Sequence, residues 1–197
     1  MYFTVQLKEI TMVNEISKLR KEHVNFKKLL DLLDAQLDIM HRGETPDYQL
    51  MTDILYYMTQ YSDLFHHPKE EAIFSLLVER DSNVAQNVAE LTRQHHMLAE
   101  SGAHFHEKLE NVINDEIMQL EKIEAPGHLY ITMLRDHMDE EEKSLFVLAE
   151  QRLNDDDWKK IKIRKRSKPD PIFGTGVEKR YRLVCRQLAQ TVSDKRP

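Results

Sequence analysis

The chain has one cysteine, Cys185, with five glycines and six prolines among 197 residues. A single cysteine excludes a disulfide framework and any Cys-rich zinc module. Average usage would give roughly 14 glycines and about 10 prolines, so the turn formers of a many-stranded β protein are missing. Apolar runs are short. The stretch around Ile73–Val78 falls far below the ~20 residues of a membrane span, and Lys8 and Glu9 interrupt the N-terminus before a signal-peptide core can form. Charge is abundant at 31%, beside 41% hydrophobic residues. That mixture suits long, solvated, amphipathic helices around a core and is too apolar for general disorder. These features predict a cytoplasmic, all-α protein with no membrane partner.

Charge is also uneven. Residues 158–197 carry 13 Lys/Arg against 3 Asp/Glu, a net of +10, while residues 1–157 carry 15 against 31, a net of −16. The shift divides the chain into an N-terminal arm (1–13), an acidic body (14–157) and a basic C-terminal extension (158–197).

The body reads as four helices. Ile16, Leu19, His23, Phe26, Leu30, Leu33 and Leu37 recur at steps of three and four, one face of a helix, with Asn14 as N-cap and Gly43 as stop. A second helix opens with Thr45 as cap and Pro46 at its first position and runs through Ile54, Met58, Tyr61 and Phe65 toward Leu77. Pro68 inside it predicts a kink. A third helix starts at Asp81 or Ser82 and carries Val84, Val88, Leu91, His95, Leu98, Gly102, Phe105, Leu109 and Val112, continuing to about Ile123 until Ala125-Pro126-Gly127 stops it. The fourth places Tyr130, Leu134, His137, Glu141, Leu145 and Leu148 on one face. Short connections between long helices imply an antiparallel, up-down-up-down four-helix bundle. In the extension, Asp155–Asp157 cap a short basic helix with Trp158, Ile161 and Ile163. A turn-rich "SKPDPIFGTG" linker and a helix over Val177–Leu188 follow. The bundle's acidity predicts that this extension packs against it.

Ten histidines are the unusual feature. Each of the four helices sets one on its apolar stripe: His23, His66 or its neighbour His67, His95, and His137. A single such histidine is ordinary core; one on every helix is a constellation. Two carry a carboxylate four residues on, His66 with Glu70 and His137 with Glu141, on the same helical face about 5–6 Å apart. Buried glutamate is costly unless compensated, and a dication compensates it. Four imidazoles and two carboxylates without thiolate suit two iron-type ions. Register favours His95 over His96, which lies one residue off the seam, and His66 with Glu70 over the alternative His67 with Glu71. His41, His104, His106 and His128 read as surface residues.

"HHPKEE" followed by Ile-Phe, and "HMDEEE" followed by Leu-Phe, with single histidines on the first and third helices, resemble the hemerythrin-like (HHE) cation-binding proteins over roughly residues 14–152. The "DPIFG" of the extension is similar to a segment found in some members. The resemblance implies two irons with an oxo or hydroxo bridge, Glu70 and Glu141 bridging, and His23, His66, His95 and His137 as terminal ligands, with Zn or Mn as substitutes. Dioxygen-carrying members place a second histidine four residues on in the third helix, where this chain has Ala99. The six-ligand set is closer to the iron-centre repair subgroup, although residues 1–13 lack that subgroup's paired cysteines. The ferritin-like pattern needs Glu-x-x-His pairs, and the order here is His-x-x-x-Glu.

The function expected is a non-haem di-iron protein that binds or senses dioxygen or a related diatomic or peroxide ligand. The alternative is a redox enzyme or stress protein that turns over nitric oxide or peroxide, or releases iron for iron-centre repair. The basic cluster Lys159–Lys168 beside Trp158 carries no recognition motif, so no nucleic-acid partner is expected; a homodimer is compatible with the charge pattern. Cys185 reads as a reduced structural thiol.

Overall fold

A computed structural model of the chain describes residues 2–163 and 169–194, with side chains over 15–161 and 169–191. Helix α1 (Tyr2–His41) is followed by α2 (Tyr48–Tyr57), a π-helical segment (Met58–His66), α3 (His67–Arg80), α4 (Ala85–Ile113), α5 (Glu121–Lys143), α6 (Leu145–Arg152), α7 (Asp155–Ile163) and α8 (Arg182–Asp194). The α2–π–α3 run forms one rod and α5–α6 another. With α1 and α4 they make a four-rod bundle in which α1 packs on α2, α2 on α4, α4 on α5, and α5 back on α1.

Several boundaries differ from the sequence expectation. Helix α1 runs through Asn14 from Tyr2, because no glycine or proline occurs before Gly43 to stop it. The cap of α2 is Asp47, whose carboxylate accepts from the Leu50 amide, so Pro46 lies before the helix. The Asp81 side chain caps a 3-10 turn over Ser82–Val84 that leads into α4. Helix α4 stops at Ile113 rather than near Ile123. Asp115 takes a left-handed φ of 65°, and the Asp115 and Glu116 amides bond back to the Val112 and Asn111 carbonyls, a Schellman ending. Gly43 ends α1 in the same way at φ 78°. Pro126 and Gly127, expected to stop α4, instead lie inside α5. A Cβ on Gly127 would sit 2.8 Å from Phe105 Cζ and 2.9 Å from Leu37 Cδ1. Only glycine lets α5 approach α4 and α1 this closely, and the packing offsets the amide that Pro126 lacks.

The kink expected at Pro68 takes another form. Proline removes the amide hydrogen that an α-helix would use to bond the Leu64 carbonyl. Over Met58–His66 the chain instead winds in π turns, and the His67 amide bonds to the Ser62 carbonyl five residues back.

Burial divides into two apolar clusters. One holds Phe26, Leu30, Leu33, Ile54, Met58, Phe105 and Leu134. The other holds Ile16, Leu19, Phe74, Leu77, Leu91, Phe146 and Trp158. Along each rod the order passes from one cluster to the other, and at every crossing stand the seam histidines and their glutamates. A polar layer therefore lies between two dry cores.

The extension docks on the bundle as expected, but chiefly by apolar burial. Trp158, Ile161, Ile172, Tyr181 and Val184 are buried and Phe173 is partly so. Asp170 accepts from the Ile172 and Phe173 amides and from the Tyr57 hydroxyl at 3.0 Å. Charge contributes through Arg180, 2.8 Å from Asp53 and stacked 3.7 Å over the Tyr56 ring. Of the basic cluster Lys159–Lys168, residues 164–168 lie outside the described residues.

Helix α7 starts with a reciprocal cap. The Asn154 side chain accepts from the Asp156 and Asp157 amides, and Asp157 accepts from the Asn154 amide, as in a capping box. Asp157 also accepts both guanidinium bonds of Arg80, at 2.9 Å each. The Arg80 bonds, followed by the Asn154 amide, hold the Asp157 carboxyl below its usual 3.8 against the opposing effect of burial. The stability this contributes is present above pH 3.8 and is lost as pH falls through the lowered value. Asp157→Asn is therefore expected to lower the thermal midpoint at pH 7 and to flatten its fall below pH 4. Melting curves of both proteins across that range check this; parallel pH profiles would refute it.

Candidate metal centre

Seven ionisable side chains meet in the polar layer: His23 from α1, His66 from the π segment, His67 and Glu70 from α3, His95 from α4, and His137 and Glu141 from α5. All are at most 6% exposed, although every rod could have turned them to water. The third-helix register is as expected, with His95 buried and His96 exposed. The choice between His66 and His67 is not a choice: both are buried. In an α-helix successive residues diverge by about 100°, so a pair that straddles the inward direction is buried together, as Leu29 with Leu30 and Leu76 with Leu77 also are. Glu71 faces outward.

The two carboxylates span the layer. Glu70 Oε1 lies 3.3 Å from His23 Nε2 and 2.9 Å from His66 Nε2, while its Oε2 lies 3.7 Å from His95 Nε2. Glu141 Oε2 lies 3.5 Å from His23 Nε2, and its Oε1 lies 3.6 Å from His95 Nε2 and 3.4 Å from His137 Nε2. Each carboxylate thus turns one oxygen to the His23 side and the other to the His95/His137 side. His23, His66 and Glu70 form one cluster with metal-ligand spacing, and His67, Glu70, His95 and His137 form a second.

Outward, every seam histidine is held by the next helix. Glu142 of α5 accepts from His23 Nδ1 at 2.9 Å, Glu22 of α1 from His66 Nδ1 at 2.7 Å, Glu71 of α3 from His95 Nδ1 at 3.3 Å, and Gln94 of α4 from His137 Nδ1 at 2.9 Å. The Gln94 amide nitrogen is spent on Glu90 and Glu140, so its oxygen faces the imidazole. The four acceptors close a ring around the bundle, α1 to the π segment, α3 to α4, α4 to α5, and α5 to α1. A carboxylate or amide oxygen can only accept, so Nδ1 carries the proton and Nε2 points its lone pair inward. Sequence reasoning missed this ring. Its signal was present, since Glu22, Glu71, Gln94 and Glu142 each adjoin a seam residue, but each serves a histidine on another helix.

Residues 14–149 match the Hemerythrin HHE cation binding domain. The chain belongs to that family. No curated protein matches it. An HHE domain is named for cation binding, and the side chains fit a cation. Both oxygens of Glu70 and of Glu141, and Nε2 of His95 and His137, are buried without a hydrogen-bond partner. Unpartnered buried acceptors are costly, and cations held between them are partners that would satisfy all six. His23 Nε2 and His66 Nε2 stand 3.0 Å apart, too close for two facing lone pairs without a proton or a cation between or beside them.

The electrostatics of the HHE centre agree. Burial pushes the Glu70 carboxyl up, but the positive charge of His66, and then of His23, beside it outweighs burial and holds Glu70 well below its usual value. Burial, reinforced by the charge of Glu70, pushes Glu141 well above its own. Two carboxylates this close share one proton when protons are the only cations present. Burial and the charge of His95 press His137 down to about 2, so His137 is neutral, the state in which imidazole binds metal. Burial also depresses His23 and His95, yet the carboxylate of Glu142, which accepts from His23, and the nearby charge of Glu70 raise the first, and the nearby charges of Glu141 and Glu70 raise the second, leaving both above the usual 6.5. Protons hold the places that metal would take.

Proposed function

We propose that the HHE domain holds two iron ions in this layer and binds or senses dioxygen or a related diatomic or peroxide ligand there. The observation that carries the reading is the set of unpartnered, inward-facing donor atoms between two dry cores. His23 and His66 would be terminal ligands on one side, His95 and His137 on the other, with Glu70 and Glu141 bridging because each turns its two oxygens to opposite sides. Imidazole and carboxylate donors without thiolate suit iron, with zinc or manganese able to substitute. Two irons so held would supply open coordination positions and redox reach that no side chain here possesses. The chain's own part is to fix the four imidazoles through Glu22, Glu71, Gln94 and Glu142, to keep the layer dry, and to admit small molecules. A cleft of about 230 Å³ between α4 and α5, lined by Met97, Leu98 and Met133 together with Arg93, Gln94, Asp136, His137 and Glu140, opens beside His137 and gives small molecules an approach to the layer.

Elemental analysis with an ultraviolet–visible spectrum of aerobically purified protein tests the reading. Two irons per chain and ligand-to-metal absorption are expected. A colourless protein with one zinc, or with no metal after iron reconstitution, would refute it. Stopped-flow mixing of the reduced protein with dioxygen, nitric oxide and peroxide then separates reversible binding from turnover.

A further inference from the structure

We infer that His67 is a fifth histidine ligand of the metal pair, joining His95 and His137 and making the centre asymmetric. The inference rests on the two-metal reading above and concerns a residue that the six-ligand pattern leaves out.

His67 shares the features that mark the other four histidines. It is 6% exposed. Its Nδ1 lies 3.2 Å from Asp63 Oδ1, an ion-pair distance one turn back on the same rod. A proton on the nitrogen beside that carboxylate leaves the lone pair on Nε2. The ring stacks on His95 with centroids 4.1 Å apart and planes 11° from parallel, and meets His137 edge-on at 5.9 Å. Ligand atoms of His67, Glu70, His95 and His137 lie within 4.8 Å of one another. Two imidazoles on opposite sides of one ion are about 4.2 Å apart at metal–nitrogen distances of ~2.1 Å, so the cluster needs only a small contraction to close on an ion.

One feature sets His67 apart. Its Nε2 is met by the Ser62 hydroxyl at 2.9 Å, whereas His95 and His137 Nε2 have no such partner. Ser62 sits in the π segment, one turn before His67, and its hydroxyl must turn away for Nε2 to bind a cation. His66 and His67 lie about 100° apart around their rod and straddle its inward direction, so that one enters each cluster. The second cluster then holds three histidines and the first two, and the glutamates are shared.

The test uses cobalt(II) as probe in the full chain. Each ligating imidazole should give one hyperfine-shifted, exchangeable Nδ1–H proton resonance. Five are expected in the parent protein and four in His67→Gln. Competition with a chelator should show the second equivalent of cobalt bound at least tenfold more weakly in His67→Gln, with the first little changed. Asp63→Ala, which spares His67 but removes its carboxylate neighbour, should weaken the second equivalent by about 10–100-fold, as loss of such partners typically does. Ser62→Ala, which removes the competing hydroxyl, should bind it at least as tightly as the parent. Four resonances in a parent that binds two cobalt ions, or two equivalents bound by His67→Gln with parent affinity, would overturn the His67 assignment and leave the two-metal reading standing. A parent that binds no pair of ions would overturn both. Metal-free circular dichroism of each variant separates loss of a ligand from loss of fold.

Discussion

Glu141→Ala, like Glu70→Ala, is expected to drop metal loading from two ions per chain to one or none, a larger effect than loss of any one histidine of the layer. Its two oxygens face opposite sides, one toward His23 and the other toward His95 and His137. Removing it therefore loses a bond to each ion and one of the two carboxylates that neutralise the pair. Unit charges ~4 Å apart interact by about 4 kcal/mol at an effective dielectric of 20, and two dications repel roughly four times as strongly. His95→Ala removes one neutral donor and should retain a partly filled, altered centre. His96→Ala changes an exposed side chain and should load like the parent. Metal per chain, measured for the three variants purified side by side, decides the matter. Should His96→Ala empty the centre while His95→Ala does not, the assignment of the α4 ligand is wrong. The fold itself should survive Glu141→Ala, since burial and the charge of Glu70 already make an ionised Glu141 costly in the metal-free chain.

Trp158→Ala is expected to cost about 3–5 kcal/mol, the usual range for deleting a fully buried tryptophan. For a chain of this size that corresponds to a fall of roughly 10 °C in the thermal midpoint. Trp158 has no exposed surface and belongs to the cluster with Ile16, Leu19, Phe74 and Phe146, directly beyond the polar layer. The substitution also separates two accounts of how the extension is held. If opposite net charges held it, salt near 1 M, where the Debye length is about 3 Å, would mimic the substitution. With apolar burial dominant, the midpoint of the parent should move little with salt and that of Trp158→Ala should be low at every concentration. A midpoint unchanged by the substitution would refute this placement of the core.

Some of this protein was legible without coordinates. The all-helical bundle, the seam positions of His23, His95 and His137, and the exposure of His96 all follow from steps of three and four along the chain. That is a local property: helical periodicity alone decides which face a residue shares with its neighbours. The Gly43 stop is local too, since a left-handed residue after a helix favours glycine. Asp115 performs the same task without glycine's signal, and Pro126 carries the signal of a stop that packing overrides. A close approach of Gly127 to Phe105 and Leu37 is what makes continuing α5 worth a missing amide bond. Only tertiary structure decided the rest. Whether His66 or His67 faces inward depends on how their rod is rotated against its neighbours, and the structure buries both. Which acceptor fixes which imidazole depends on how far each helix is rotated against the next, so Glu22, Glu71, Gln94 and Glu142 all serve a histidine that is remote in sequence. Net charge predicted that the extension would meet the bundle, but shape and apolar burial chose where, because surface charges attract over several ångströms without specifying a contact, whereas a buried tryptophan fits one place.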